Sequence, residues 1–252
     1  MKKRFVPIIF LIAKIGSVYL TAAGFLYLFL DVTAAEGEMP VLYGGLGIFT
    51  AAAAILMLVI KRRRIRVLIF AAAGAAGAVL FRRVLSAGAI DSINEVILRI
   101  NEYFQSSIEN LTFDGDIRYT DAAWFCFAAV LLFTVYLLAC GLKKCYPFAI
   151  VFPVLLISAA ELIIGKVPPL QALLLMFIGI LGMMALGDYV PGEVAVRLKG
   201  SLIVWGLAAA AVTAVMAAAP SVKMIGNIPK EEIRLAVRER YEDISDFFSS
   251  SS

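Results

Sequence analysis

The sequence predicts an all-α protein, a polytopic transmembrane helical bundle of about seven spans, or six, with two amphipathic extracytoplasmic helices. Three observations carry this. Of 252 residues, 62% are hydrophobic and 17% charged, against about 45–50% and about 25% in an ordinary soluble domain, and the mean hydropathy is +0.92. The apolar residues gather into runs near the roughly 20 residues that cross a ~30 Å hydrocarbon core. Short charged stretches separate the runs, which lack the alternation of a transmembrane β-barrel.

The first span covers 6–30. Met1-Lys2-Lys3-Arg4 before it has the form of a signal-peptide start, but the run from Phe5 to Leu30 is too long for a signal h-region and reads as a retained helix. Further spans fall at 41–60, 67–81, 122–141, 146–165, 169–187 and 201–219. The third is short for a crossing. Pro40 and Pro169 stand at first turns, where a missing N–H costs nothing, whereas Pro153 lies inside the fifth span and removes a backbone hydrogen bond there. The third span contains Ala71-Ala72-Ala73-Gly74-Ala75-Ala76-Gly77-Ala78, a surface so free of bulk that neighbouring backbones can approach it. It is expected inside the bundle.

Orientation follows from the short loops. Lys2, Lys3, Arg4, the cluster Lys61-Arg62-Arg63-Arg64 with Arg66, Lys143-Lys144, and Arg197 with Lys199 all fall on one side, which is therefore cytoplasmic. The N-terminus is then inside and the C-terminal segment outside, in a multi-pass cell-membrane protein. Asp31 to Pro40, with Asp31, Glu36 and Glu38 and no basic residue, lies outside. Arg82 and Arg83 sit on the wrong side for the rule, and a third helix that dips and returns fits them equally well.

Domain organisation is a bundle over 1–219, with an extracytoplasmic insertion at 84–121, and a charged extracytoplasmic segment at 220–252. Within the insertion, Ile90, Ile93, Ile97, Ile100 and Phe104 recur at helical spacing opposite Asn94, Glu95, Arg99, Asn101 and Glu102, an amphipathic helix expected to cover the outer mouth of the bundle. Ser92 and Glu95 have the form of a capping box, and Glu95 to Arg99 is an i, i+4 ion pair in the better orientation. After Pro229, Ile233, Val237, Tyr241, Ile244 and Phe248 form a second stripe on an otherwise charged helix, before a serine run of linker composition. The two stripes are the candidate contacts for a partner or a further domain.

Chemistry is sparse. Histidine is absent, which removes His-based acid/base catalysis, Ser-His and Cys-His nucleophile pairs and the usual zinc sites. Cys126, Cys140 and Cys145 lack metal-ligand spacing and read as small buried side chains. No catalytic, metal or cofactor residues are assigned, and the +4 net charge sits in loops between spans, so the partner is the lipid bilayer and not nucleic acid. The intramembrane or interfacial charges are Lys14, about 12 Å along the first helix from Val6 and expected to snorkel to the cytoplasmic interface, and Glu161 with Lys166, expected to pair at the outer interface.

Two blocks carry a family resemblance. Ile93-Asn94-Glu95-Val96-Ile97-Leu98-Arg99-Ile100-Asn101-Glu102-Tyr103-Phe104 and Ala160-Glu161-Leu162-Ile163-Ile164-Gly165-Lys166-Val167-Pro168-Pro169, in their order along the spans, resemble the extracytoplasmic helix and the tight outer turn in the N-terminal membrane region of bacterial transglutaminase-like membrane proteins. The resemblance implies a non-catalytic anchor and scaffold that orients an extracytoplasmic acyltransferase or peptidase-like domain, whose Cys-His-Asp triad lies beyond this sequence. Two other classes fit the residues: a transporter or permease subunit using Lys14 and Pro153, and a standalone membrane assembly protein binding a partner through the amphipathic stripes.

Overall fold

A computed structural model describes residues 2–60, 62–105, 107–112, 115, 118–141, 147–163 and 167–186. Among them are seven helices and no strand: α1 (Lys2–Val32), α2 (Met39–Val59), α3 (Arg63–Leu80), α4 (Arg82–Phe104), α5 (Tyr119–Gly141), α6 (Pro147–Ile163) and α7 (Leu170–Leu186). Three stretches, Leu11–Val32, Met39–Val59 and Tyr119–Ala139, are long and apolar enough to cross a bilayer, whereas Val151–Glu161 and Leu170–Met184 are shorter. These are the stretches of a helical membrane bundle. The span expected at 201–219, the helix after Pro229 with Ile233, Val237, Tyr241 and Ile244, and Lys166 lie outside the described residues.

α1 is the central helix, packed most extensively on α7 and also on α5, α2 and α6. In lipid, hydrocarbon competes with hydrocarbon for every apolar surface, so helices associate through close fit rather than through water exclusion. The fit between α1 and α7 is made at two glycines. A Cβ on Gly24 would stand 2.6 Å from the Ala172 carbonyl oxygen and 2.9 Å from the Met176 nitrogen, and one on Gly179 would stand 2.6 Å from the Ser17 oxygen and the Thr21 nitrogen. Residues further along α1 meet residues earlier in α7, so the two run antiparallel. The buried hydroxyls here are satisfied within α1: Ser17 donates to the Ala13 carbonyl at 2.8 Å and Thr21 to that of Ser17 at 3.0 Å, the usual resort of a hydroxyl with no water in reach. On its other side α1 stacks Phe25 on Phe133 of α5, ring centroids 4.2 Å apart.

Helix ends are closed with care. Ala35 N–H donates to the Leu30 carbonyl and Ala34 N–H to that of Asp31, while Ala34 has φ 46°; this is a Schellman motif with alanine where glycine is usual. At the end of α2, Arg66 reaches back nine residues to donate to the Met57 carbonyl at 3.0 Å, placing a cation on the negative end of that helix. One member of the basic loop cluster is therefore structural. Pro169 starts α7 by accepting from the N–H groups of Ala172 and Leu173.

The third expected span departs from expectation in its packing. α3 ends at Leu80, and the chain turns by 81° at Phe81 into α4, so the pair reads as a broken span or a re-entrant segment. The alanines at 71–73, 75, 76 and 78 are exposed rather than inside the bundle. The reason is geometric: a small surface gains from close approach only where a facing ridge fills it. A Cβ on Gly77 would meet nothing within 4 Å, and one on Gly74 only Leu132, at 3.9 Å. The capping box expected at Ser92 and Glu95 also does not form, because α4 starts ten residues before Ser92, at Arg82.

Candidate functional site

Among the described residues, a polar constellation gathers at the junction where α4 crosses the end of α1 and the start of α5. Gly88 makes the approach possible: a Cβ there would run into the Asp121 carbonyl and stand 2.7 Å from Phe125 Cβ. The face α4 turns to α5 and α1 contains Ala87, Gly88 and Ser92, all buried, with Val96 packed against the core. Ile97 and Ile100, from the expected stripe, are half-buried beside this face, and Ile93 is 47% exposed. The side chain of Phe104 lies outside the described residues.

Arg99 ties the junction together. Its Nε donates to Glu95 Oε1 at 3.1 Å, the pair expected from the sequence, and its Nη1 donates to the Asp31 carbonyl at 3.3 Å. The second bond falls on the last turn of α1, where carbonyls lack helical partners and a cation is favoured. Asp121 lies in the first turn of α5, where an anion is favoured for the converse reason. Asp91 faces the same cluster. Its Oδ2 is buried, with Glu95 and Asp121 nearby. Beneath these charges Thr33 Oγ1 and Cys126 Sγ lie 3.3 Å apart, and Cys126 is fully buried, in keeping with the reading of that cysteine as a packed side chain. Beside the junction a cavity of about 270 Å³ is lined by Gly37, Glu38, Val41, Leu42, Thr120, Ala123 and Trp124.

Chemically the junction pairs one carboxylate with one guanidinium and closes two helix ends. Among the described residues no group of three His, Cys, Asp or Glu side chains is placed to hold a metal ion. Of the three other charges singled out from the sequence, Lys166 lies outside the described residues and the remaining two lie away from the junction. Lys14 on α1 is 4% exposed and Glu161 on α6 fully buried. Sequence reasoning noted Glu95 and Arg99 but missed the part of Asp91, Asp121 and the α1 terminus. The available signal was the small stretch Ser86-Ala87-Gly88-Ala89 with Ser92 one helical turn beyond Gly88.

Compared with family models, curated proteins and solved structures, the chain matches none of them.

Proposed function

We propose that this chain is a non-catalytic membrane anchor and scaffold, the multi-spanning region of a bacterial transglutaminase-like membrane protein that orients an extracytoplasmic acyltransferase or peptidase-like domain. The observation that supports this reading is the junction itself: α4 is tied across the ends of α1 and α5 by Arg99 and the notch at Gly88, a built platform at one end of the bundle. With seven crossings and the N-terminus cytoplasmic, that end faces outward, where such a domain would be carried. The resemblance of 93–104 and 160–169 supplies the family.

The test is the mass of the native polypeptide, detected with an antibody against 188–200. A product much larger than 27.3 kDa supports an anchor with its working domain downstream, and a product at 27.3 kDa overturns it. Cysteines placed at 31–40 should react with an impermeant reagent in intact cells, and labelling at 61–66 instead would reverse the orientation. One observation favours a second reading, a transporter or permease subunit: Lys14 is buried within an apolar helix, where ionisable residues mark transport paths. Substrate flux abolished by Lys14→Ala would establish that reading.

A further inference from the structure

Two asparagines on α4 hold the chain that follows it. Asn101 donates through Nδ2 to the Ile108 carbonyl at 2.8 Å and accepts from the Ile108 N–H at 2.9 Å. Asn94 does the same with Leu111, at 2.9 Å and 2.7 Å. Each side-chain amide thus reads both polar groups of one backbone residue, as a neighbouring strand would. The strap runs back along α4 after the left-handed turn at Gln105, φ 54°.

The register identifies the backbone conformation that fits. Asn94 and Asn101 are seven residues apart on a helix, about 10.5 Å at about 1.5 Å per residue. Ile108 and Leu111 are three apart. In a β-strand, residues three apart face opposite sides, so one helix could not bond both. In polyproline II the turn is three residues and the rise about 3.1 Å, which brings residues three apart to the same side at about 9.3 Å. Both rises come close to the helical spacing, and only the latter also puts the two residues on one side. Residues 107–112 are all classed as exposed, Ile108 by 36% and Leu111 by 47%, so neither side chain is enclosed.

We infer that α4 carries a backbone-reading clamp, Asn94 with Asn101, whose ligand class is a polyproline-II-like polypeptide segment and whose occupant is residues 107–112 of this chain. The clamp selects conformation and N–H placement, and it is indifferent to the side chains at 108–111.

Amide hydrogen exchange on the detergent-solubilised protein tests this. The N–H groups of Ile108 and Leu111 exchange slowly, and those of Glu109 and Asn110 fast. Asn94→Ala accelerates Leu111, and Asn101→Ala accelerates Ile108, each about five-fold or more, the equivalent of a hydrogen bond worth about 1 kcal/mol. Both sites are on a helix surface, where alanine is a better helix former, so folding is not at stake. Ile108→Ala and Leu111→Ala leave the pattern unchanged. Proline sharpens the phase: Glu109→Pro and Asn110→Pro keep the slow amides slow, because proline fixes the same φ, whereas Leu111→Pro, which keeps the conformation but lacks the N–H, frees the strap. Equal exchange at all four positions, or protection lost with Ile108→Ala and Leu111→Ala but kept in the asparagine variants, overturns the inference.

Discussion

Replacing Gly179 by alanine tests whether close fit holds this bundle together. The new methyl would stand 2.6 Å from the Ser17 oxygen and the Thr21 nitrogen, where heavy atoms prefer about 3.5–4.0 Å. Both are backbone atoms of a helix, so neither can rotate aside, and α7 must retreat from α1 by about 1 Å. A gap of that size forfeits a quarter to a half of each contact it opens, and overpacking of this kind costs about 1–3 kcal/mol. Gly24→Ala meets α7 backbone at 2.6 Å and 2.9 Å and should cost a similar amount. The double variant should cost less than the sum, because a helix that has already moved accommodates the second methyl. Gly16→Ala is the control: it lies on α1 too, with nothing within 4 Å of its Cβ position, and gains the helix propensity of alanine, up to about 1 kcal/mol. Thermal unfolding in detergent, followed by the reaction of buried Cys126 with a thiol dye in a Cys140→Ser, Cys145→Ser background, should order the midpoints as Gly16→Ala at or above the parent and Gly179→Ala about 2–12 °C below it. If Gly24→Ala and Gly179→Ala unfold with Gly16→Ala, the glycine notches do not set the packing.

Two further outcomes follow from the helix ends and the junction. Ala34→Gly should raise stability by about 0.5 kcal/mol, the relief of a left-handed alanine less the added freedom of glycine in the unfolded chain; no rise in the unfolding midpoint would refute the cap geometry. Arg99→Ala should cost about 1–2 kcal/mol through loss of two charged hydrogen bonds, and Arg99→Lys should recover less than half, since an ammonium does not span Glu95 and the Asp31 carbonyl together.

The positions of the helices were legible because a run of apolar residues has one cheap arrangement in a bilayer, and α1, α2, α5, α6 and α7 fall where the runs do. What each helix touches was not. Hydrophobicity separates inside from outside in water, but in lipid Ile93 is as well placed facing acyl chains as facing protein, and it is 47% exposed while Gly88 and Ser92 make the contact. Small residues are the better signal, yet they need a partner: Gly24 and Gly179 found one, and Gly77 of the alanine-rich stretch did not. At the junction, the pair Glu95 and Arg99 was readable because both lie on one helix. Arg99 with Asp31 spans 68 residues of sequence, and the acceptor is a backbone carbonyl that no residue type reveals.

The corner at Phe81 deserves a mechanical reading. Phe81 N–H bonds the Gly77 carbonyl and Leu85 N–H bonds the Phe81 carbonyl, both at 2.9 Å, so hydrogen bonds run up to the bend and resume from it. A chain usually cannot change direction in hydrocarbon without stranding polar groups; here Phe81 itself strands neither of its own. The corner thus behaves as an elbow, with α3 as the oar outside it and α4 as the shaft clamped inside. Among its neighbours α3 packs chiefly on α4, so a force on its exposed length would pass through the corner to α4. A distance between spin labels on α3 and α4 that changes between thin and thick lipid would register that force, and one that stays constant would make the elbow a rigid bracket.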